Sequence, residues 1–122
     1  MKSISYNLSE IKIAPPSFIG ISGIGSGDLA CLWVKEEELS SETEQNDISQ
    51  GMFRALSLII QLNYSAISSK PSCILIDDIG EGLDHERSCA LIDLLISKAK
   101  KSQIQLIMTT NDRFVMNKVP FL

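Results

Sequence analysis

Two adjacent carboxylates, Asp77 and Asp78, follow directly on the apolar run Cys73–Ile76, and a third, Asp84, comes after a short stretch holding Gly80 and Gly82. A short apolar run bounded by turn signals predicts a buried strand. The carboxylate pair is then expected at the rim of a sheet, where open α/β folds bind their ligands. Two other groups repeat the pattern of polar residues at an element's end. Ile48-Ser49-Gln50-Gly51-Met52 opens a helical pattern, with Ser49 suited to the N-cap, and Met108-Thr109-Thr110-Asn111 closes a later apolar run. Each group alone is a weak signal, since Ser49 reads as a plain N-cap and the aspartate pair as a capped loop or the acidic pocket of a receiver domain.

The elements that must position these residues can be read from periodicity. Residues 2–8 alternate apolar and polar as in a half-buried strand, and Ile11-Lys12-Ile13 extends or pairs with it. Pro15-Pro16 interrupts the pattern. Residues 29–35 form another expected strand with Trp33 on one face, and the acidic stretch Glu36 to Asp47 is expected to be a solvated loop. From Ser49 the spacing turns helical. Met52, Leu56, Ile59, Ile60 and Ile67, with Phe53, Leu58 and Leu62 on other faces, predict a helix near 49–69 buried on more than one side. Ser68-Ser69-Lys70-Pro71 ends it. A strand near 72–77, a helix near 85–101 with a stripe of Leu91, Ile92, Leu94, Leu95, Ile96 and Ala99, and a strand near 104–109 follow. A strand–helix–strand unit implies a parallel pairing. Residues 113–119 are expected to hold one short helical turn. The fold class is therefore α/β, with a β-rich segment over 1–47 and the parallel core over 48–122.

Composition sets the bounds. A chain of 122 residues, 44% hydrophobic and 21% charged, is one globular domain at most. Its net charge of −4 argues against a dominant phosphate-backbone surface. No apolar run approaches a membrane span and no signal peptide is visible, so a cytoplasmic protein without membrane contact is expected. Cys31, Cys73 and Cys89 are widely spaced, which suggests neither a disulfide framework nor a zinc site. His85, the sole histidine, reads as a solvent-facing first-turn residue, and with no second histidine and no cysteine nearby it offers no metal site. Lys98, Lys100 and Lys101 complement a helix C-terminus. The glycine-rich piece Phe18–Asp28 fails both phosphate-loop tests. Gly27 is followed by Asp28 where Gly-x-x-x-x-Gly-Lys-Ser/Thr needs lysine, and Gly23, Gly25 and Gly27 do not fit Gly-x-Gly-x-x-Gly.

Taken in order, the three polar groups resemble the C-terminal half of an ABC-type ATPase head, of the SMC-like, non-transporter kind, a P-loop NTPase. The resemblance covers residues 48–112. Ser49, Gly51 and Arg54 look like the signature motif in its Ser-x-Gly-x-x-Arg form, Ile74–Asp78 like Walker B, Gly82-Leu83-Asp84 like the D-loop, and Met108–Asn111 like the switch strand. The resemblance implies ATP and Mg²⁺ as cofactors and ATP hydrolysis as the reaction. It implies Asp77 as the Mg²⁺ ligand and Asp78 as the residue that polarises the attacking water. It implies Ser49 and Gly51 against the γ-phosphate across a head dimer, Asp84 at that dimer contact, and Asn111 at the switch position. Two departures matter. Asp78 stands where the family usually has Glu, one methylene longer, and Asn111 where it usually has His. A third is larger, since no Walker A loop occurs in the chain. The resemblance therefore implies a piece of a larger ATPase or one part of a split one, inactive alone, whose partner is a Walker A-bearing segment or subunit. By family analogy the parent would be a homodimeric head acting in DNA maintenance or defence against foreign DNA, with nucleic acid met only through the parent.

Two alternatives stay open. One is a dimerisation or regulatory module that keeps the ATPase fold without turnover. The other is a phospho-receiver, suggested by Ile74-Leu75-Ile76-Asp77-Asp78, which would need a second aspartate on a later strand tip and a lysine after that, whereas Asp112 follows only one crossover.

Overall fold

The computed structural model describes residues 2–17, 29–70, 72–117 and 119. The glycine-rich Phe18–Asp28 lies outside them. The chain is mixed α/β and divides into two compact units, one made of Tyr6–Ser49 with Met1–Lys2, the other of Gln50–Leu122 with Ser3–Ser5.

The first unit is a small antiparallel sheet of β1 (Leu8–Ala14), β2 (Cys31–Glu36) and β3 (Thr43–Glu44), in that order. Leu8 pairs with Glu36 and Ala14 with Cys31, with an irregularity between Leu8 and Glu10. The first strand thus begins later than the alternation over 2–8 predicts. Lys2–Ile4 is a 3-10 turn, and Ser5 takes a left-handed φ of +59° that ends any extended run. The acidic stretch is also more structured than a solvated loop. Thr43 and Glu44 pair with Val34 and Trp33, and Glu44 is only 8% exposed. A carboxylate so buried needs donors, and it has them. Ser17 donates through its backbone N–H at 3.2 Å and through its hydroxyl, and the Cys31 thiol donates at 3.5 Å. The Ser17 hydroxyl bond, above all, holds the Glu44 carboxyl below its ordinary range, while burial first and the Glu44 bond second push the Cys31 thiol up.

The second unit has two helices and a parallel strand pair. α1 (Gln50–Ile67) leads to β4 (Cys73–Ile76), α2 (His85–Ser102) crosses over, and β5 (Gln105–Met108) returns beside β4. A short α3 (Arg113–Met116) closes it. The register Cys73↔Gln105 to Ile76↔Met108 is continuous. α2 begins at Asp84, whose carboxylate accepts from the Arg87 backbone N–H at 2.9 Å. It ends at Gln103 in the left-handed region, φ +55°, with its N–H on the Ala99 carbonyl. Glu86 in the first turn and Lys100 and Lys101 in the last suit the helix dipole. Leu91, Ile92 and Leu95 are fully buried, joined by Leu56 and Leu62 of α1 and by Ile74 and Ile76 of β4. Burying one such side chain contributes about 1.5–3 kcal/mol.

Two expectations of burial fail in an informative way. α1 is apolar nearly all round, yet only Gly51, Met52, Ala55, Leu56 and Leu62 are buried, while Ile60, Tyr64 and Ile67 are exposed. β4 is apolar on both faces, yet only Ile74 and Ile76 are covered. Leu75 is 74% exposed, and Ile107 beside it on β5 is 47% exposed. In each case the residue pattern matches two-sided burial and the second side is open. Among the described residues no helix is long and apolar enough to cross a membrane.

Candidate functional site

The polar groups gather at the C-terminal ends of β4 and β5. Asp77 and Asp78 follow the last residue of β4, and Thr109 follows the last of β5. Backbone bonds extend the pairing one step past the strands, from Thr109 N–H to the Ile76 carbonyl and from Ile79 N–H to the Thr109 carbonyl, both at 2.9 Å. The Thr109 side chain then links the tips. Its hydroxyl donates to Asp77 Oδ1 at 2.6 Å and accepts from the Asp78 backbone N–H at 2.9 Å. Asp77 is exposed, and its other carboxylate oxygen has no partner among the described residues. Asp78 is half-buried, with φ at +45°, a left-handed conformation uncommon outside glycine and costly enough to need support.

Arg54 supplies part of that support. From the second turn of α1 its guanidinium donates to the backbone carbonyls of Asp77 and Asp78, the latter at 2.9 Å, and to Glu81 Oε2 at 3.1 Å. Among the described residues Arg54 Nε is buried without a partner. A planar fork of donors suits several acceptors fixed in one loop. The guanidinium therefore clamps the turn that carries both aspartates.

The start of α1 also touches this turn directly. Gly82 sits at φ +76°, and a side chain on Gly51 would put its Cβ 2.2 Å from the Gly82 carbonyl oxygen and 2.9 Å from Leu83. Backbone meets backbone there, so glycine is required at position 51 by close approach and at 82 by its φ. Beyond the turn, Asp84 caps α2 and pairs with Arg87 at 3.0 Å. The Arg87 backbone N–H bond, first, and the Arg87 charge hold the Asp84 carboxyl below its ordinary value.

The expected site residues are thus distributed as follows. Asp77, Asp78, Gly51 and Asp84 lie on or beside one turn and its neighbours. Ser49 immediately precedes α1. Asn111 is exposed in the bend after β5, and it is Thr109, not Asn111, that bonds the Asp77 carboxylate. Arg54 appears in the sequence only as the last letter of a motif, and nothing around it signals its bonds to the Asp77-Asp78 turn. The sequence does contain a signal for a second omission. His85 and Cys89 are four residues apart on one helix, and Cys89 Sγ lies 3.6 Å from His85 Nε2, so a cysteine does stand beside the histidine.

A hard cation fits the oxygen donors at Asp77, since Mg²⁺ takes one or two carboxylates and fills its remaining positions with water and phosphate oxygens. Among the described residues no three of His, Cys, Asp and Glu converge, so such an ion would not be held by a protein cage. Compared with known protein families, curated proteins and solved structures, the chain has no match.

Proposed function

We propose that this chain carries the signature, Walker B, D-loop and switch-strand parts of an ABC-type ATPase head, a P-loop NTPase, and acts on Mg²⁺-ATP together with a Walker A-bearing segment or subunit. One observation carries the proposal. The start of α1 is packed backbone to backbone on the Gly82 turn and tied by Arg54 to the carbonyls of the Asp77-Asp78 pair. Motifs distant in sequence thereby meet at one strand tip. The open apolar faces of β4, β5 and α1 further support a chain that completes its core against more protein.

In this role Asp77 would hold Mg²⁺, directly or through water, with Thr109 fixing the carboxylate's orientation. The ion supplies charge neutralisation at the phosphate oxygens when bound. Asp78 would orient the attacking water. Ser49 and the N–H groups at the start of α1 would face the γ-phosphate bound by a partner head. Asp84 would lie at the head contact, and Asn111 would hydrogen-bond phosphate or water. The parent's work in DNA maintenance or defence follows from family analogy alone.

The test is to purify the assembly from its native host through a tag on this chain and measure phosphate release. Mg²⁺-dependent ATP hydrolysis is expected, abolished by Asp77→Asn. An assembly with no response to Mg²⁺-ATP would overturn the proposal. A second reading, a regulatory module of the same fold without turnover, is favoured by Asp78, which is short and held in a left-handed conformation. On that reading Asp78→Asn leaves the assembly's rate unchanged, whereas a catalytic Asp78 loses it.

A further inference from the structure

β1 is the outer strand of the first unit's sheet, and among the described residues no strand pairs with its far edge. Two side-chain bonds reveal which main-chain groups point to that edge. The Leu32 N–H donates to Gln45 Oε1 at 3.1 Å, so it faces the β3 side of β2. The Ser9 hydroxyl donates to the Lys35 carbonyl at 3.1 Å, so that carbonyl faces β1. Main-chain direction alternates along a strand of an antiparallel pair. Cys31, Trp33 and Lys35 therefore turn their N–H and C=O groups to β1, and their register partners Ala14, Lys12 and Glu10 turn theirs to β2. Ile11 and Ile13 are left with donors and acceptors aimed outward. Their side chains are open as well, Ile11 44% and Ile13 77% exposed. Glu10 and Lys12 project from the opposite face of the strand. Glu10 is exposed and, among the described residues, has no ion-pair partner. The Lys12 ammonium lies 6.0 Å from the Trp33 ring centroid and pairs with Glu42 at 2.6 Å. An ammonium carries three donors, so one carboxylate does not exhaust it.

We propose that β1 pairs antiparallel with β1 of a second copy of this chain, on a two-fold axis through Ile11. Each Ile11 then exchanges its outward N–H and C=O with the Ile11 of the other copy. Glu10 of one copy stands opposite Lys12 of the other, and symmetry makes the pair twice. These are the non-hydrogen-bonded positions, where facing side chains approach most closely. Charge selects the register. Opposite charges facing each other across two strands are stabilising and like charges destabilising. Moving the axis by one residue sets Glu10 against Glu10, or Lys12 against Lys12. Charged side chains on an edge strand ordinarily deter pairing. Here their order about one isoleucine repels the neighbouring registers and favours a single one. On the other face the two Ile11 side chains become neighbours, extending the apolar surface of Val34, the register partner of Ile11, which is 1% exposed. The two three-stranded sheets join into one. This contact is distinct from the head contact assigned above to Ser49 and Asp84, and it does not depend on the nucleotide chemistry.

Charge exchange on the full chain tests the interface. Glu10→Lys faces lysine with lysine at both pairs, and Lys12→Glu faces glutamate with glutamate. By sedimentation equilibrium each variant alone should associate about 10-fold or more weakly than the wild type. Mixing the two variants puts opposite charges back at both pairs, and dimers should return. Isotopically light and heavy wild-type chains are also mixed and treated with a zero-length carbodiimide. Peptide mass mapping should then find Glu10 of one copy joined to Lys12 of the other, a result that needs no variant to fold. A monomeric wild type would overturn the proposal. So would dimers that survive both single variants, as association through the Leu75 face would. Variants that stay monomeric on mixing, or a wild type in which no light chain is linked to a heavy one through Glu10 and Lys12, would overturn it equally.

Discussion

At the residue scale the turn after β4 is held by side chains that come from elsewhere in the chain. Arg54 reaches across from α1 to two main-chain carbonyls, and Thr109 reaches across from β5 to a carboxylate and an N–H. Each supplies a partner that lysine or valine cannot. Arg54→Lys keeps the charge but not the fork, and about 1–3 kcal/mol of stability should be lost as carbonyls go unpaired. Thr109→Val leaves the Asp78 N–H without its acceptor and should cost about 1 kcal/mol or more, while Thr109→Ser keeps both bonds and should cost less. Urea unfolding of the variants checks both, and equal midpoints for Val and Ser would show that the hydroxyl contributes nothing. Asp77 and Asp78 were legible beforehand because an apolar run that stops at charge marks a strand tip. Arg54 and Thr109 were not legible as partners, since nothing local in a sequence records which residues a crossover will bring within 3 Å of each other.

At the element scale the same turn sets the relation of α1 to α2. Gly51 and Gly82 are in contact, and Asp84 begins α2 two residues later. Gly51→Ala must displace the Gly82 carbonyl and should cost about 1–3 kcal/mol, the usual penalty of overpacking. Gly82→Ala, at φ +76°, should cost about 1–2 kcal/mol through backbone strain. Thermal unfolding measures both, and an unshifted midpoint in Gly51→Ala would mean that the helix start can move aside. The Asp84 cap adds a pH dependence of definite sign. Its carboxyl is held below the ordinary aspartate value, so its contribution is complete above about pH 4 and fades as pH falls through the folded-state value. Asp84→Asn should flatten the acid limb of the stability curve and leave the neutral plateau nearly intact, because asparagine also caps helices. Element type was readable here from Asp84, the Leu91 to Ala99 stripe and the closing lysines, which agree with one another. In the first unit the signals conflicted. Alternation over residues 2–8 suggested a strand, but the left-handed Ser5 breaks it. The charges of Glu36 to Asp47 suggested a loop, but Glu44 finds buried donors that composition cannot reveal.

At the scale of the whole molecule the feature that matters most is apolar surface left exposed on the second unit among the described residues. Parallel strands are ordinarily buried on both faces, and here the face bearing Leu75 and Ile107 is open, as are Ile60, Tyr64 and Ile67 on α1. The apolar pattern suits two-sided burial, and the cover itself is no property of these residues. Exposed apolar area of this kind marks an association surface or an aggregation liability. The chain alone should therefore bind a hydrophobic dye and self-associate as concentration rises. Leu75→Lys and Ile107→Lys remove apolar side chains from the open face without disturbing Ile74, Ile76 or the α2 stripe. They should reduce dye binding and self-association while changing unfolding free energy by less than about 0.5 kcal/mol, the usual range for surface substitutions. In the proposed assembly the same two variants should prevent co-purification, since a charge would then be buried without a partner. Analytical ultracentrifugation of the isolated variants, beside pull-down from the native host, separates the outcomes. If the lysine variants unfold the isolated chain, the face is part of its own core. If they leave the assembly intact, the second cover of β4 and β5 is not protein, and the chain does not complete its sheet in the way an ATPase head requires.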